Sequence, residues 1–145
     1  MKRLAAVMAA GLLATSVSAG DVVTYTSTDS FDDVSFSLES AIVDKGLVID
    51  WVSHTGEMLE RTRGDVGSDV VLFTAAHVYQ FCSAALSRKV MEADLMNIQF
   101  CPYGIFVAQK AGEDTVMVGY RTFPDGPMKE VEALLDELAR AAAGQ

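Results

Sequence analysis

Segments with the periodicity of β-strands alternate along this chain with segments that have the periodicity of α-helices. Val22–Thr28 is rich in β-branched residues and predicts a strand. Ser30 suits a helix start, apolar residues then recur at helical spacing, and Gly46 suits the helix end. The later patterns predict strands at Leu47–His54, Asp69–Thr74, within Asn97–Gln109 and at Thr115–Arg121, and helices at Glu57–Arg63, Ala76–Ala93 and from Pro127.

This order of elements predicts an α+β protein. It favours a two-layer sandwich, with a mixed sheet of about five strands and helices mainly on one face. The chain has 145 residues, half of them apolar, which is enough for one buried core. No glycine-rich turn joins a strand to a helix, and this excludes the fingerprints of dinucleotide-binding folds and P-loops.

The first 19 residues have the organisation of a secretory signal peptide. Lys2 and Arg3 form a positive start, and Leu4–Leu13 is an apolar run too short for a permanent membrane span. Val17-Ser18-Ala19 offers the small residues that a signal peptidase requires. We therefore expect cleavage after Ala19, a single domain over residues 20–145 and a periplasmic location.

The charge of the chain bears on its partners. The formal net charge is −9, and loss of Lys2 and Arg3 with the signal would leave nine basic side chains against 20 acidic ones, a net charge of −11. Nucleic-acid phosphates and anionic lipids repel such a chain, so we expect neither nucleic acid nor, after signal cleavage, a membrane as a partner. A cationic periplasmic protein would fit this charge.

Cys82 and Cys101 are the only cysteines, and an exported protein exposes them to an oxidising compartment. Cys82 is expected within the long helix and Cys101 early in the fourth strand, so packing of the helix on the sheet could bring them together. Three interpretations stay open: a structural disulfide, two buried inert thiols, or a redox or metal-binding pair. The chain has no Cys-x-x-Cys spacing of the thioredoxin type.

Few other side chains suggest chemistry. His54 and His77 could join Cys82 and Cys101 in a site for copper or zinc, because sulfur and imidazole are ligands of these metals. Arg121, at the end of the predicted fifth strand, could bind a small anion. No serine lies in a Gly-x-Ser-x-Gly turn, and no pattern assigns catalytic residues. A binding protein is therefore expected rather than an enzyme.

Two parts of the chain carry motifs shared with a known family. They are Phe31-Asp32-Asp33-Val34 with Leu38 and Lys45-Gly46, and the region from Phe81-Cys82-Ser83 through Glu92-Ala93-Asp94 to Asn97–Tyr103. Together they resemble the bacterial family called domain of unknown function 302. The resemblance covers about Val22–Arg121, and the helix from Pro127 looks like an individual extension. The chain departs from the family at Cys82-Ser83-Ala84, where members commonly carry Cys-Asn-Pro.

The resemblance implies a two-layer β-α-β-β-α-β-β fold that often self-associates, so a homodimer is one expected assembly. It places Cys82 and Cys101 on typical cysteine positions of the family and implies no particular activity. We expect a small periplasmic accessory or binding domain. Its cysteine pair would be either a structural disulfide under a ligand pocket or a site for a soft metal or a sulfur species. The alternative is a thiol-based redox carrier or enzyme that uses the same two residues.

Overall fold

The computed structural model describes residues 21–145, so the predicted signal peptide, Met1–Ala19, lies outside the described part of the chain. The strands are β1 (Val22–Ser27), β2 (Val48–Ser53), β3 (Phe73–Cys82), β4 (Tyr103–Lys110) and β5 (Val116–Arg121). The helices are α1 (Phe31–Asp44), α2 (Thr55–Thr62), α3 (Ala84–Ala93) and α4 (Met128–Ala143), with a 3₁₀ helix at Leu95–Phe100. Within residues 21–145, no helix combines the length and the apolar character needed to cross a bilayer.

The five strands form one sheet in the order β1-β5-β4-β3-β2, and every neighbouring pair is antiparallel. The expected α+β sandwich with five strands is confirmed, whereas the expectation of a mixed sheet is wrong. A strand-helix-strand segment usually joins parallel neighbours. Here α1 carries the chain across the whole sheet, so that β1 and β2 lie at opposite edges.

Helices α1 and α4 pack together on one face of the sheet and enclose the core. The start of α1 is capped by Ser30, whose hydroxyl accepts a hydrogen bond from the backbone N–H of Asp33. The apolar faces of both helices meet the inward side chains of the central strands. The largest fully buried side chains are Tyr79, Tyr103, Phe81, Leu38, Ile42, Ile105, Leu135 and Leu138.

The opposite side of the sheet, which we call the outer face, carries a different set of residues. Strand alternation and the β3–β4 register place Val78, Gly104 and Phe106 there. On the edge strand β2, Val48 and Trp51 are 72% and 66% exposed. The outer face therefore keeps apolar surface in contact with solvent.

The predicted third strand, Asp69–Thr74, is wrong over most of its length. Three of its apolar residues, which we expected to be buried on both sides, are exposed: Val70, Val71 and Leu72. The strand begins at Phe73 and continues to Cys82. Apolar runs of this length predict burial but do not fix where a strand starts.

The predicted helix Ala76–Ala93 is correct only in its second part. Residues 77–81 alternate between the two faces of β3, and α3 begins after Ser83. The Ser83 hydroxyl accepts a hydrogen bond of 3.3 Å from the backbone N–H of Leu86, which caps the helix. Cys82 is therefore the last residue of a strand and does not lie within a helix.

One carboxylate connects two strands to the last helix. Asp136 on α4 accepts hydrogen bonds from the hydroxyls of Tyr25 and Tyr120 and from Nε of Arg140. The hydrogen bond from Tyr25 is the largest cause that lowers the pKa of Asp136 below its ordinary value. Burial, and then the hydrogen bond to Asp136, raise the pKa of Tyr120. Near neutral pH the carboxylate is ionised and both hydroxyls are protonated.

Candidate functional site

Cys82 and Cys101 are joined by a disulfide, with their Cα atoms 6.6 Å apart. Cys82 ends β3, and Cys101 follows the 3₁₀ helix just before β4, so both lie at the same end of two neighbouring strands. The bond closes the segment that contains α3 and the 3₁₀ helix, which we call the closed loop. It confirms the disulfide that was one of three interpretations of the sequence, and neither of the two cysteines is a free thiol.

The closed loop is also held by side-chain contacts. The hydroxyls of Ser87 on α3 and of the buried Tyr103 on β4 lie 2.8 Å apart and share a hydrogen bond. The rings of Phe100 and Phe123 meet edge to face, with centroids 5.3 Å apart. These contacts and the disulfide fix the last residues of the loop against the sheet.

A cleft of about 390 Å³ opens between the end of the closed loop and the outer face. This size is within the range of sites for small molecules. One wall consists of Gln99, Phe100 and Pro102, which flank Cys101. We call the whole cleft the Arg121 cleft. The rest of its lining consists of Val78, Gln80, Gly104, Phe106, Tyr120, Arg121 and Phe123.

Gly104 leaves space in the floor of the Arg121 cleft. A Cβ atom at this position would meet only a methyl group of Val78, at 3.8 Å, which is an ordinary contact. Gly104 lies opposite Gln80 in the β3–β4 register, and Gln80 lies opposite Trp51 in the β2–β3 register. The only tryptophan of the chain is therefore one strand away from the cleft.

Arg121 brings a positive charge to this cleft. It is the last residue of β5 and is exposed. Within residues 21–145 there are nine lysines and arginines, and seven of them form an ion pair with a carboxylate. Arg121 and Arg61 form none with the described residues. The guanidinium of Arg121 is therefore available to an anion from outside.

The chemistry of the Arg121 cleft suits an amphipathic anion. A guanidinium presents several N–H donors in a plane and can bind a carboxylate through two of them. The amides of Gln80 and Gln99 add further donors and acceptors. Three phenylalanine rings supply apolar surface beside these polar groups.

The two histidines predicted as metal ligands lie together, away from the disulfide. His54 directly precedes α2, His77 lies on the inward side of β3, and their ring centroids are 4.2 Å apart. Cys82 is further along β3 and on the other face of the sheet. The four predicted metal ligands, Cys82, Cys101, His54 and His77, therefore form two separate pairs.

Burial lowers the pKa of His77 from its ordinary value, and the positive charge that His54 can carry lowers it further. The ring of Phe31 contributes to this burial, since its centroid lies 4.9 Å from that of His77. His77 is therefore neutral near neutral pH and keeps a nitrogen lone pair that can bind a metal or accept a proton.

Sequence reasoning missed most of the residues that shape the Arg121 cleft. Gln80 and Gln99 are polar residues without a motif, and only the fold brings them near Arg121. Gly104 did give a signal, because a single glycine inside an apolar strand often marks open space or a close approach. Glu57, three residues after His54, is a further signal that the sequence analysis did not use.

Comparisons with known proteins agree with this fold. The crystal structure of an uncharacterized conserved DUF302 protein from Bacillus stearothermophilus is similar to this chain with a TM-score of 0.61 and 16% identity, over 85% of this chain and 93% of that one. None of the curated proteins compared with the chain matches it. The family model described as "Domain of unknown function DUF302" matches residues 23–142. This match includes most of α4, so the last helix is not the individual extension that we expected, and the chain belongs to the DUF302 family.

Proposed function

We propose that this protein is an exported binding domain that takes a small carboxylate with an apolar body into the Arg121 cleft. The observation that carries the proposal is the guanidinium of Arg121, which lines the cleft and forms no ion pair with the described residues. Its charge complements a carboxylate. The phenylalanine rings complement an aliphatic or aromatic group.

In this proposal the disulfide is a structural part of the binding site. It anchors Cys101 between Phe100 and Pro102, which both belong to the wall of the cleft. A disulfide in a small domain persists in an oxidising compartment such as the periplasm. It therefore supports export through the signal peptide predicted at Met1–Ala19.

The expected affinity is modest, because the cleft is open to solvent. A hydrogen bond to a charged group contributes about 1.5–3 kcal/mol, and each buried methylene group contributes about 0.8 kcal/mol. Loss of the charged contact alone should therefore weaken binding by about tenfold or more. Specificity would come from the combination of charge and apolar contact.

The first experiment titrates the tag-free protein with phenylacetate and with hexanoate, each compared with its neutral amide. The fluorescence of Trp51 serves as a reporter because Trp51 lies opposite Gln80, and calorimetry provides a second readout. Saturable binding of the acids, about tenfold tighter than that of the amides, supports the proposal. Equal binding of acids and amides, or no binding of either, would overturn it.

A pair of arginine variants separates the cleft from general charge effects. Arg121→Gln removes the charge in the cleft and should weaken phenylacetate binding by about tenfold or more. Arg61→Gln is the matched control, because Arg61 also forms no ion pair with the described residues but lines a different cleft. An equal loss in both variants would argue against binding at Arg121.

A second variant tests the shape of the cleft. Gly104→Val should fill its floor and abolish binding of the acids and the amides alike, while the β-branched residue suits the strand. Thr26→Val is the control for the valine itself, because it places a valine at an exposed position of β1 that does not line the cleft. Full binding by Gly104→Val would place the ligand elsewhere.

A further inference from the structure

Both histidines of this chain meet in one cluster, although α2 and a loop separate them in the sequence. Glu57 is the third member, with its Oε1 atom 3.3 Å from Nδ1 of His54. One ligand atom from each of His54, Glu57 and His77 lies within 4.8 Å of the other two. Two imidazoles and one carboxylate are a donor set that proteins use to bind zinc.

The backbone builds this cluster from two neighbouring elements. His54 stands at the start of α2 and makes no side-chain capping hydrogen bond, and Glu57 follows in the first helical turn. Gly56 lets α2 approach β3 closely, since a Cβ atom there would lie 2.7 Å from the backbone nitrogen of Ala76. This close approach brings the helical pair next to His77 on β3.

The cluster borders two clefts that have room for a non-protein ligand. One has a volume of about 610 Å³ and includes Glu57 and His77, and the other has a volume of about 290 Å³ and includes both histidines and Ser35. Ser35 is only 8% exposed and lines the second cleft together with the buried Tyr79.

An ordinary ion pair does not account for the whole arrangement. An exposed pair such as His54 and Glu57 contributes little to stability. It also gives no reason for the second imidazole of His77 to lie beside the first. A shared ion accounts for all three side chains at once.

We propose that His54, Glu57 and His77 bind a divalent transition-metal ion such as Zn²⁺, with the remaining coordination open to water or a small ligand from the adjacent cleft. Imidazole nitrogen suits Zn²⁺ and Cu²⁺, whereas Mg²⁺ and Ca²⁺ prefer oxygen ligands throughout. This donor set replaces the one with sulfur that the sequence suggested, because both sulfurs are held in the disulfide.

The test uses the exported form of the protein without a polyhistidine tag, so that its own two histidines are the only ones present. ZnCl₂ is titrated by calorimetry, CoCl₂ is followed by its visible absorption, and MgCl₂ serves as the comparison ion. We expect one zinc ion per chain and a cobalt spectrum that indicates nitrogen and oxygen ligands. His54→Gln and His77→Gln should each weaken zinc binding by at least about tenfold, and Glu57→Gln should weaken it less.

Glu39→Gln is the matched control, because Glu39 is a nearby acid that lines the same cleft as the histidines but lies outside the cluster. It should bind zinc as the wild type does, and so should Arg121→Gln, since the Arg121 cleft is a separate site. His54 is exposed, so His54→Gln decides the outcome even if His77→Gln fails to fold. Unchanged zinc binding by His54→Gln, an equal loss in Glu39→Gln, or zinc binding no tighter than magnesium binding would each overturn the proposal.

Discussion

Tyr120 donates a hydrogen bond of 2.7 Å to Asp136 and thereby connects β5 to α4. Tyr25 on the edge strand β1 donates to the same carboxylate, and so does Arg140 one helical turn further along. One partly buried side chain thus joins an edge strand, its neighbour and the last helix. It supplements the backbone pairing that holds β1 in the sheet.

Asp136→Asn should lower the free energy of unfolding by about 1–2 kcal/mol, because a neutral amide accepts these hydrogen bonds less strongly. Urea denaturation measures this change. Glu137→Gln is the control, since Glu137 is the next residue, is more exposed and forms a surface ion pair with Lys45. It should change the stability by less than about 0.5 kcal/mol. Equal effects of the two variants would contradict the special role of Asp136.

The contribution of Asp136 should disappear in acid. Its pKa in the folded protein lies below the ordinary value of 3.8, chiefly because Tyr25 donates to it. The stabilisation is therefore fully present above the unfolded pKa and is lost as the pH falls through the folded one. The difference in unfolding free energy between wild type and Asp136→Asn should shrink between about pH 5 and about pH 2. A difference that stays constant over this range would refute the assignment.

Removal of the disulfide should affect both stability and ligand binding. The double variant Cys82→Ser, Cys101→Ser should lose about 3 kcal/mol of stability, because the closed loop gains freedom in the unfolded chain. It should also bind phenylacetate more weakly, since the wall of the Arg121 cleft loses its anchor. Denaturant unfolding and calorimetry measure the two effects, and intact mass confirms the bond in the wild type. Unchanged phenylacetate binding would show that the contacts of Phe100 and Ser87 hold the wall without the bond.

Gly56→Ala should destabilise the protein, although alanine normally favours a helix. Its Cβ atom would lie 2.7 Å from the backbone nitrogen of Ala76, so α2 or β3 must shift, at a cost of about 1–3 kcal/mol. Gly64→Ala is the control, because nothing lies within 4 Å of a Cβ atom there. It should leave the stability unchanged or raise it slightly. Thermal unfolding of both variants checks the prediction, and a Gly56→Ala protein as stable as wild type would contradict it.

The class of the fold could be predicted because periodicity is a local property. The apolar stripes of α1 and α4 and the β-branched residues of β1 and β5 are visible in the sequence. The antiparallel pairing of all neighbouring strands could not be predicted. No local pattern shows that α1 crosses the sheet from one edge to the other. The border between β3 and α3 was misplaced because the segment 77–81 is short and mostly apolar, and such a segment is compatible with a strand or with a helix.

The sequence indicated which side chains could carry chemistry, but it did not show which of them lie together in the fold. Cys82, Cys101 and Arg121 stood out by their chemistry, and the compartment that the signal peptide predicts made a disulfide one of three open interpretations of the two cysteines. The shared metal site with His54 and His77 was suggested by ligand type alone, since sulfur and imidazole suit copper and zinc. The fold places His77 and Cys82 on the two faces of β3, and only tertiary structure shows that His77 lies beside His54.

The course of α1 across the sheet also affects how the chain folds. β1 is the first strand, and its neighbour in the sheet is β5, the last strand to be synthesised. Such pairing between distant parts of the sequence raises the contact order and slows folding. The sheet cannot be completed before nearly the whole domain has been synthesised. Until then, β1 has no partner strand. The strands from β2 to β5 pair with neighbours that follow one another in the sequence, so the addition of β1 to β5 is expected to complete the sheet last.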